Sequence, residues 1–134
     1  MLRFSKAQGQ APLLFDRQAL IEDLEDYVGE RLPSAMAALP RGLRWAMLNE
    51  TIRIALWFRM HDVDHLRFFA FLRWDVAPGF YREPRLWRVL AAVEQDEAAR
   101  MDMLASDAME DAWQAAIAGA DPAHWQDSPE TLAR

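Results

Sequence analysis

The chain has no cysteine and only five glycines among its 134 residues. Without cysteine it cannot form a disulfide framework, a thiolate metal site or a cysteine nucleophile. It also lacks a run of about eighteen consecutive apolar residues, which is close to the minimum for a membrane-spanning helix. The basic start at residues 1–6 is not followed by the apolar run of a signal peptide. We therefore expect a cytoplasmic protein with no membrane partner.

Apolar residues make up 52% of the chain and recur mainly at helical spacing. No window alternates as a half-buried strand would, and a chain of this length can bury one core. We predict an all-α fold, a compact bundle of five to six helices in a single domain. The predicted helices lie at 17–32, 43–60, 65–74, 84–93 and 96–118. The predicted organisation is a flexible N-terminal arm at 1–15, a helical domain at 16–120, and a C-terminal tail with a short helical turn at 121–134.

Charge is distributed unevenly along the chain, although the net charge is only −6. The net charge is −2 over residues 1–40, +4 over residues 41–88 and −8 over residues 89–134. Fourteen of the fifteen basic residues are arginine, which stacks on aromatic rings and pairs with carboxylates through two parallel hydrogen bonds. The basic excess of the middle segment is far below that of nucleic-acid-binding modules, and the rest of the chain would repel a polyanion. We expect no nucleic-acid partner.

Few motifs in the sequence indicate catalysis. No serine lies in a Gly-x-Ser-x-Gly turn, and no glycine-rich phosphate loop is present. The segment His61-Asp62-Val63-Asp64-His65 suggests a metal-dependent hydrolase, because two histidines four residues apart on one helix can share an ion. A third ligand is missing, however, and the segment falls at a predicted turn, where aspartates cap backbone amides. We therefore predict no catalytic residue, no cofactor and no metal, and keep the hydrolase as an alternative.

Aromatic residues concentrate in the middle of the sequence. Ten of the fifteen lie within residues 45–87, together with many arginines. The helical part of this stretch is periodic enough to be mostly core, but periodicity does not explain the aromatic residues of 74–87. Large aromatic side chains fill cores as readily as they anchor interfaces. This turn is therefore either an exposed binding platform or a packed corner in which arginine stacks on a ring.

The platform interpretation predicts a set of partner-binding residues. Tyrosine, tryptophan and arginine carry much of the binding energy at protein interfaces. The predicted set consists of Arg73, Trp74, Phe80, Tyr81, Arg82, Arg85 and Trp87.

Part of this region resembles a family of small helical proteins that are encoded beside type VI secretion spike and effector genes. The resemblance covers residues 43–104. It lies in Leu66-Arg67-Phe68-Phe69, in Leu72-Arg73-Trp74, in Ala77-Pro78-Gly79-Phe80-Tyr81 and in Pro84. It implies an all-helical accessory protein without catalytic residues of its own.

The resemblance implies one of two roles. The first is an effector co-chaperone or adaptor whose aromatic and arginine surface binds another protein, namely an effector toxin or its chaperone. The alternative is an immunity protein whose acidic C-terminal third covers the basic active site of a toxin. A homodimer formed through the aromatic and arginine surface is also compatible with the sequence.

Overall fold

The computed structural model describes residues 16–134, so the predicted N-terminal arm at 1–15 lies outside the described residues. The described part contains eight α-helices, three 3₁₀ turns and no strand. The helices are α1 (Arg17–Arg31), α2 (Pro33–Ala37), α3 (Arg41–Trp57), α4 (Val63–Asp75), α5 (Pro84–Ala91), α6 (Glu97–Leu104), α7 (Glu110–Ala118) and α8 (Pro129–Leu132). The prediction of an all-α fold is confirmed. No helix in this part of the chain is both long and apolar enough to cross a membrane.

Helices α1, α3 and α4 contact one another and enclose the larger part of the core. Their buried apolar residues recur every three or four positions, as the prediction from periodicity required. These residues include Leu20, Leu24 and Val28 of α1, Leu48, Ile52 and Ala55 of α3, and Leu66, Phe69 and Ala70 of α4. The rims of the contacts are polar. The Nε of Arg67 on α4 donates to Asp23 of α1 at 2.8 Å, and the Nε of Arg44 on α3 donates to Glu25 of α1 at 2.9 Å.

Helices α5, α6 and α7 form a second layer around a 3₁₀ turn at Phe80–Arg82. Pro84 is the first residue of α5, as predicted, because a helix start loses nothing by the missing amide proton of proline. The Glu83 carboxylate caps the same end by accepting from the amides of Arg85 and Leu86, each at 3.0 Å. Leu86 and Leu90 are fully buried. The opposite face of α5 is left open to solvent.

The single helix predicted at 96–118 is in fact two helices. Helix α6 ends at Leu104, and α7 begins at Glu110 after a 3₁₀ turn at Asp107–Met109. Ser106 has an extended backbone, and its hydroxyl donates to the carbonyl of Met103 at 2.8 Å. The indole of Trp113 donates to the carbonyl of Leu104 at 2.8 Å. Side chains thus satisfy carbonyls that a continuous helix would have paired internally.

Helix α3 stops three residues before its predicted end because the chain reverses at Arg59. Arg59 has a φ of 59°, in the left-handed region, and is the one non-glycine residue with positive φ in the described part of the chain. The amide of Met60 donates to Ala55 at 3.1 Å and that of Arg59 to Leu56 at 2.8 Å. This pair of bonds is a Schellman motif, in which glycine is the usual residue at the left-handed position.

Arg100 of α6 joins the C-terminal ends of two other helices. Its side chain is buried, and one terminal nitrogen, Nη1, donates to the carbonyls of Phe58 and Leu90, both at 2.8 Å. The other, Nη2, donates to the carbonyl of Arg59 at 3.3 Å. A cation stabilises the ends of α3 and α5 because carbonyls without helical partners carry partial negative charge.

The C-terminal segment, predicted as a tail at 121–134, packs against the bundle. It contains a 3₁₀ turn at Pro122–Gln126 and the short helix α8. The rings of Trp125 and Trp74 lie 4.5 Å apart, and Glu130 forms an ion pair with Arg53 of α3. The segment therefore adds contacts to α3 and α4.

Replacing Arg59 with glycine should raise the free energy of unfolding by about 1 kcal/mol, because glycine adopts the left-handed conformation without a steric penalty. Chemical denaturation of Arg59→Gly and wild type measures the difference. Arg59→Ala is the matched control, since it removes the same side chain but keeps the Cβ atom. A gain of the same size in Arg59→Ala would contradict the explanation.

Replacing Arg100 with methionine should lower the free energy of unfolding by about 3 kcal/mol, because buried helix-end carbonyls lose their donors. Arg88→Met, at an exposed position of α5, should change it by less than about 0.5 kcal/mol. Urea denaturation of the two variants gives both values. Equal effects would show that the carbonyl contacts of Arg100 contribute little.

Candidate functional site

The turn that was predicted to bind a partner is largely a packed corner. Arg73 is 1% exposed, and Phe80 and Tyr81 are 0% exposed. The exposed-platform prediction is therefore wrong for these three residues. The 3₁₀ turn folds back over α4, so that the rings of Phe80 and Tyr81 lie 5.0 Å and 5.9 Å from the ring of Phe69.

The other four predicted residues do not form one platform either. Trp74 and Trp87 are half-buried against the core, whereas Arg82 and Arg85 are exposed. The guanidinium of Arg85 donates through Nε to Glu83 at 2.9 Å. Arg85 lies on the exposed surface of α5.

The buried guanidinium of Arg73 holds three parts of the chain together. Its Nε donates to the carbonyl of Pro78 at 2.7 Å, and Nη1 to the hydroxyl of Thr51 at 2.9 Å. Nη2 donates to the carbonyl of His124 at 3.0 Å. Burial lowers the pKa of Arg73, and the nearby carboxylates of Asp127 and Glu50 act in the opposite direction. This arginine binds the C-terminal segment of its own chain, which leaves it unavailable to a partner.

Glycine is required at position 79 for that closure. A Cβ atom there would lie 2.3 Å from the Nδ1 of His124, far inside van der Waals contact. The Pro78-Gly79 turn thus lets the C-terminal segment approach the backbone of the corner.

Asp127 closes the corner from the other side. It is 5% exposed and accepts from the Tyr81 hydroxyl at 2.7 Å. Arg82 donates to the two carboxylate oxygens of Asp127 through Nε at 2.8 Å and Nη2 at 2.5 Å. Burial raises the pKa of Asp127, but the bonds from Arg82 and Tyr81 outweigh burial, so the pKa lies below its ordinary value.

The predicted alternative metal segment acts as a helix cap. Asp62 is the N-cap of α4, since its carboxylate accepts from the amides of Asp64 and His65 at 2.8 Å and 3.4 Å. His61 lies outside the helix, so the two histidines do not share a helix face. Among residues 16–134, no group of three or more His, Cys, Asp or Glu side chains is arranged to hold a metal ion.

His65 instead contacts a carboxylate of α6. Its Nδ1 lies 2.6 Å from the carboxylate of Glu97, which also accepts from the amides of His61 and Asp62 at 2.8 Å and 3.1 Å. Burial raises the pKa of Glu97. The hydrogen bonds lower it by more than burial raises it, so the pKa lies below its ordinary value. Glu97 therefore links α6 to the start of α4.

An open groove between α5 and α6 is the candidate functional site. We call it the arginine groove, and its volume is about 450 Å³. Its apolar lining comes from Val89 and Ala92 on one side, Ala99 and Met103 on the other, and Met109 at the end. Small alanine side chains leave room between the two helices. Met103 is 46% exposed, and methionine adapts its shape to different apolar ligands.

Three arginines line this groove and no carboxylate does. They are Arg85, Arg88 and Arg100. Arg85 is paired with Glu83, but Arg88 has no ion pair or side-chain hydrogen bond to any residue within 16–134. Arg100 contacts backbone carbonyls only, and its buried Nε has no hydrogen-bond partner in the described part of the chain. The groove therefore combines an apolar floor with positive charge that no acidic side chain of the lining neutralises.

Sequence reasoning identified Arg85 but missed the rest of the groove. Helix α5 has two apolar faces, with Leu86 and Leu90 toward the core and Val89 and Ala92 toward the groove. Met103 does not lie on the apolar stripe of the single helix predicted at 96–118. The sequence therefore offered no reason to expect it in a binding site. A second apolar stripe on α5, next to arginines, is the signal that could have found the site.

Comparison of the chain with protein-family models, with curated proteins and with solved structures gives no match.

Replacing Asp127 with asparagine should lower the free energy of unfolding near neutral pH by about 2 kcal/mol, because two charge-assisted contacts are weakened. The pKa of Asp127 is lowered by folding from an unfolded value of 3.8. Its stabilisation is therefore complete above that pH and is lost as the pH falls through the folded pKa. Urea denaturation at about pH 7 and about pH 3 should show the difference between variant and wild type shrinking in acid.

The exposed substitution Asp102→Asn serves as the control for this experiment. It should change stability by less than about 0.5 kcal/mol at both pH values. A difference for Asp127→Asn that is equally large in acid and at neutral pH would contradict the ionic role of Asp127.

Proposed function

We propose that this protein is a non-catalytic adaptor that binds another protein through the arginine groove. The bound element is a short helix of the partner that carries apolar and acidic side chains on one face. The observation that supports this most directly is an apolar groove lined by three arginines and by no carboxylate. The groove, rather than the aromatic corner, is then the binding surface.

A helix suits this groove better than an extended peptide. An extended peptide that pairs with a sheet edge has no site among residues 16–134, because they contain no strand. A helix inserts side chains at i, i+3 or i+4, and i+7 into a groove between two helices. A volume of about 450 Å³ accommodates a few such anchors.

Acidic side chains on the partner follow from the charge of the groove. Arg88 is exposed and unpaired within the described chain, so a carboxylate can reach it without breaking an existing ion pair. Arg100 adds a positive charge to the lining, although its own hydrogen-bond donors are buried. Complementary charge increases the association rate and rejects cationic competitors.

The resemblance to type VI secretion accessory proteins supplies the setting for this proposal. An effector co-chaperone or adaptor must hold an effector, or the chaperone of an effector, without modifying it. A groove lined by apolar side chains, arginines and one glutamine suits such a role. The partner is accordingly proposed to be an effector toxin or its chaperone, as the sequence predicted.

Immunity is a second candidate, and one observation favours it. Asp102, Asp107, Glu110 and Asp111 are all exposed, and their side chains form no ion pair within residues 16–134. Such a surface attracts a cationic active site over distances comparable to the Debye length, about 8 Å at physiological salt. In that case the surface formed by these four acidic residues, and not the arginine groove, contacts the toxin.

A displayed library of random peptides of about 16 residues, or about 24 Å of helix, tests the adaptor proposal without a known partner. Selection on the wild-type protein should enrich sequences with apolar residues at helical spacing and with Asp or Glu between them. A peptide from this pool should bind Arg88→Glu, Met103→Glu about tenfold more weakly, because the rim becomes repulsive and an apolar contact is lost. Fluorescence anisotropy measures the affinity.

The matched control is the double variant Leu43→Glu, Arg134→Glu. It makes the same charge change at residues outside the groove, and Leu43 is 50% exposed, close to the value for Met103. This control should bind as wild type does. Enrichment of basic peptides, or equal loss in both double variants, would overturn the arginine groove as the site.

A further inference from the structure

A second groove of opposite charge lies between α4 and α7. We call it the acidic groove, and its volume is about 310 Å³. Its apolar lining includes Phe68, Leu72 and Val76 of α4, and Trp113 and Ile117 of α7. It shares no lining residue with the arginine groove.

The charged residues of this lining are acidic only. Asp107 and Glu110 line the groove, and no arginine, lysine or histidine does. Both carboxylates are exposed, and neither forms an ion pair or a side-chain hydrogen bond with another residue of 16–134. The charge here is therefore available to a ligand. Two basic residues occur in 89–134, and one of them, Arg100, is buried among carbonyls elsewhere.

The apolar part of the groove has one large exposed residue, Ile117, and one residue held in place by a hydrogen bond, Trp113. Ile117 is 49% exposed, so its side chain is accessible to a ligand. Trp113 is held in place, because its indole nitrogen donates to the Leu104 carbonyl at 2.8 Å. Its ring also lies 5.6 Å from that of Phe80 in the core. A ligand would therefore meet a preformed wall and an exposed apolar anchor.

We propose that the acidic groove is a second docking surface, which takes a cationic amphipathic helix of a partner protein. Charge complementarity selects this occupant, because a lining with two free carboxylates repels an acidic segment and attracts a basic one. The argument for a helix is the same as for the first groove, since residues 16–134 offer no strand edge.

This inference does not rest on the arginine groove. If both hold, the protein binds a basic helix on one face and an acidic helix on another, which is the minimum that an adaptor between two partners needs. If only the acidic groove binds, the cationic occupant is the kind that an immunity role requires.

Two synthetic fluorescent helices test the proposal. They carry leucine at the same positions, spaced i, i+3, i+4 and i+7, and differ only in having lysine or glutamate at the polar positions. Fluorescence anisotropy at low and high salt should show that the lysine helix binds wild-type protein and that salt weakens the complex. The neutral substitutions Asp107→Asn, Glu110→Gln should weaken it about fivefold or more.

Control variants separate the groove from general attraction to an acidic protein. Glu22→Gln, Asp26→Asn removes the same charge from exposed positions on α1 and should leave binding unchanged. Ile117→Ser should weaken binding, whereas Leu43→Ser, at a position equally exposed but outside the groove, should not. Circular dichroism verifies that each variant is folded.

Several outcomes would overturn the acidic groove. The first is that the lysine helix does not bind wild-type protein. The second is that the α1 control variant weakens binding as much as Asp107→Asn, Glu110→Gln does. The third is that Arg88→Glu, Met103→Glu weakens binding and Asp107→Asn, Glu110→Gln does not. Light scattering tests for self-association of the wild-type protein. Self-association that Asp107→Asn, Glu110→Gln abolishes would also overturn the proposal, because the occupant of the groove would then be a second copy of the chain.

Discussion

The fold depends on two guanidinium groups that are buried against backbone carbonyls and one hydroxyl rather than against carboxylates. Arg73 joins α3, the Pro78-Gly79 turn and the C-terminal segment, and Arg100 joins the ends of α3 and α5 to α6. A buried charge is costly unless its donors find acceptors, and here helix ends and turns supply carbonyl acceptors. Each arginine therefore fixes several chain segments at once, and the second layer of helices depends on both.

This arrangement explains why the aromatic and arginine-rich corner is not the binding surface. Phe80, Tyr81 and Arg73 are used to close the core, and Asp127 ties the C-terminal segment over them. The surface that remains for a partner lies where helices meet through small side chains. The alanines of α5 and α6 leave the arginine groove, and the break between α6 and α7 contributes the lining of the acidic groove.

The two grooves carry the uneven charge of the sequence into the folded protein. Two of the three arginines of the arginine groove come from the basic middle segment, and both carboxylates of the acidic groove come from the acidic C-terminal third. Five arginines outside the groove form ion pairs within residues 16–134, and two of them, Arg67 and Arg44, pair with carboxylates of α1. The charged lining residues are basic in one groove and acidic in the other, and this gives each groove a distinct preference.

The sequence by itself determined the all-α class, the main helices, the helix start at Pro84 and the capping role of Asp62, because these depend on neighbours within one or two turns. The sequence also limited the possible metal and nucleophile chemistry, since it has no cysteine and only three histidines. Tertiary structure alone decided that Tyr81 is buried, that Arg100 binds carbonyls of two distant helices, and that Val89 and Met103 face each other across a groove. Such contacts join residues far apart in the chain, and local periodicity contains no information about which segments meet. Burial and unpaired charge, which define both candidate sites, follow from those long-range contacts.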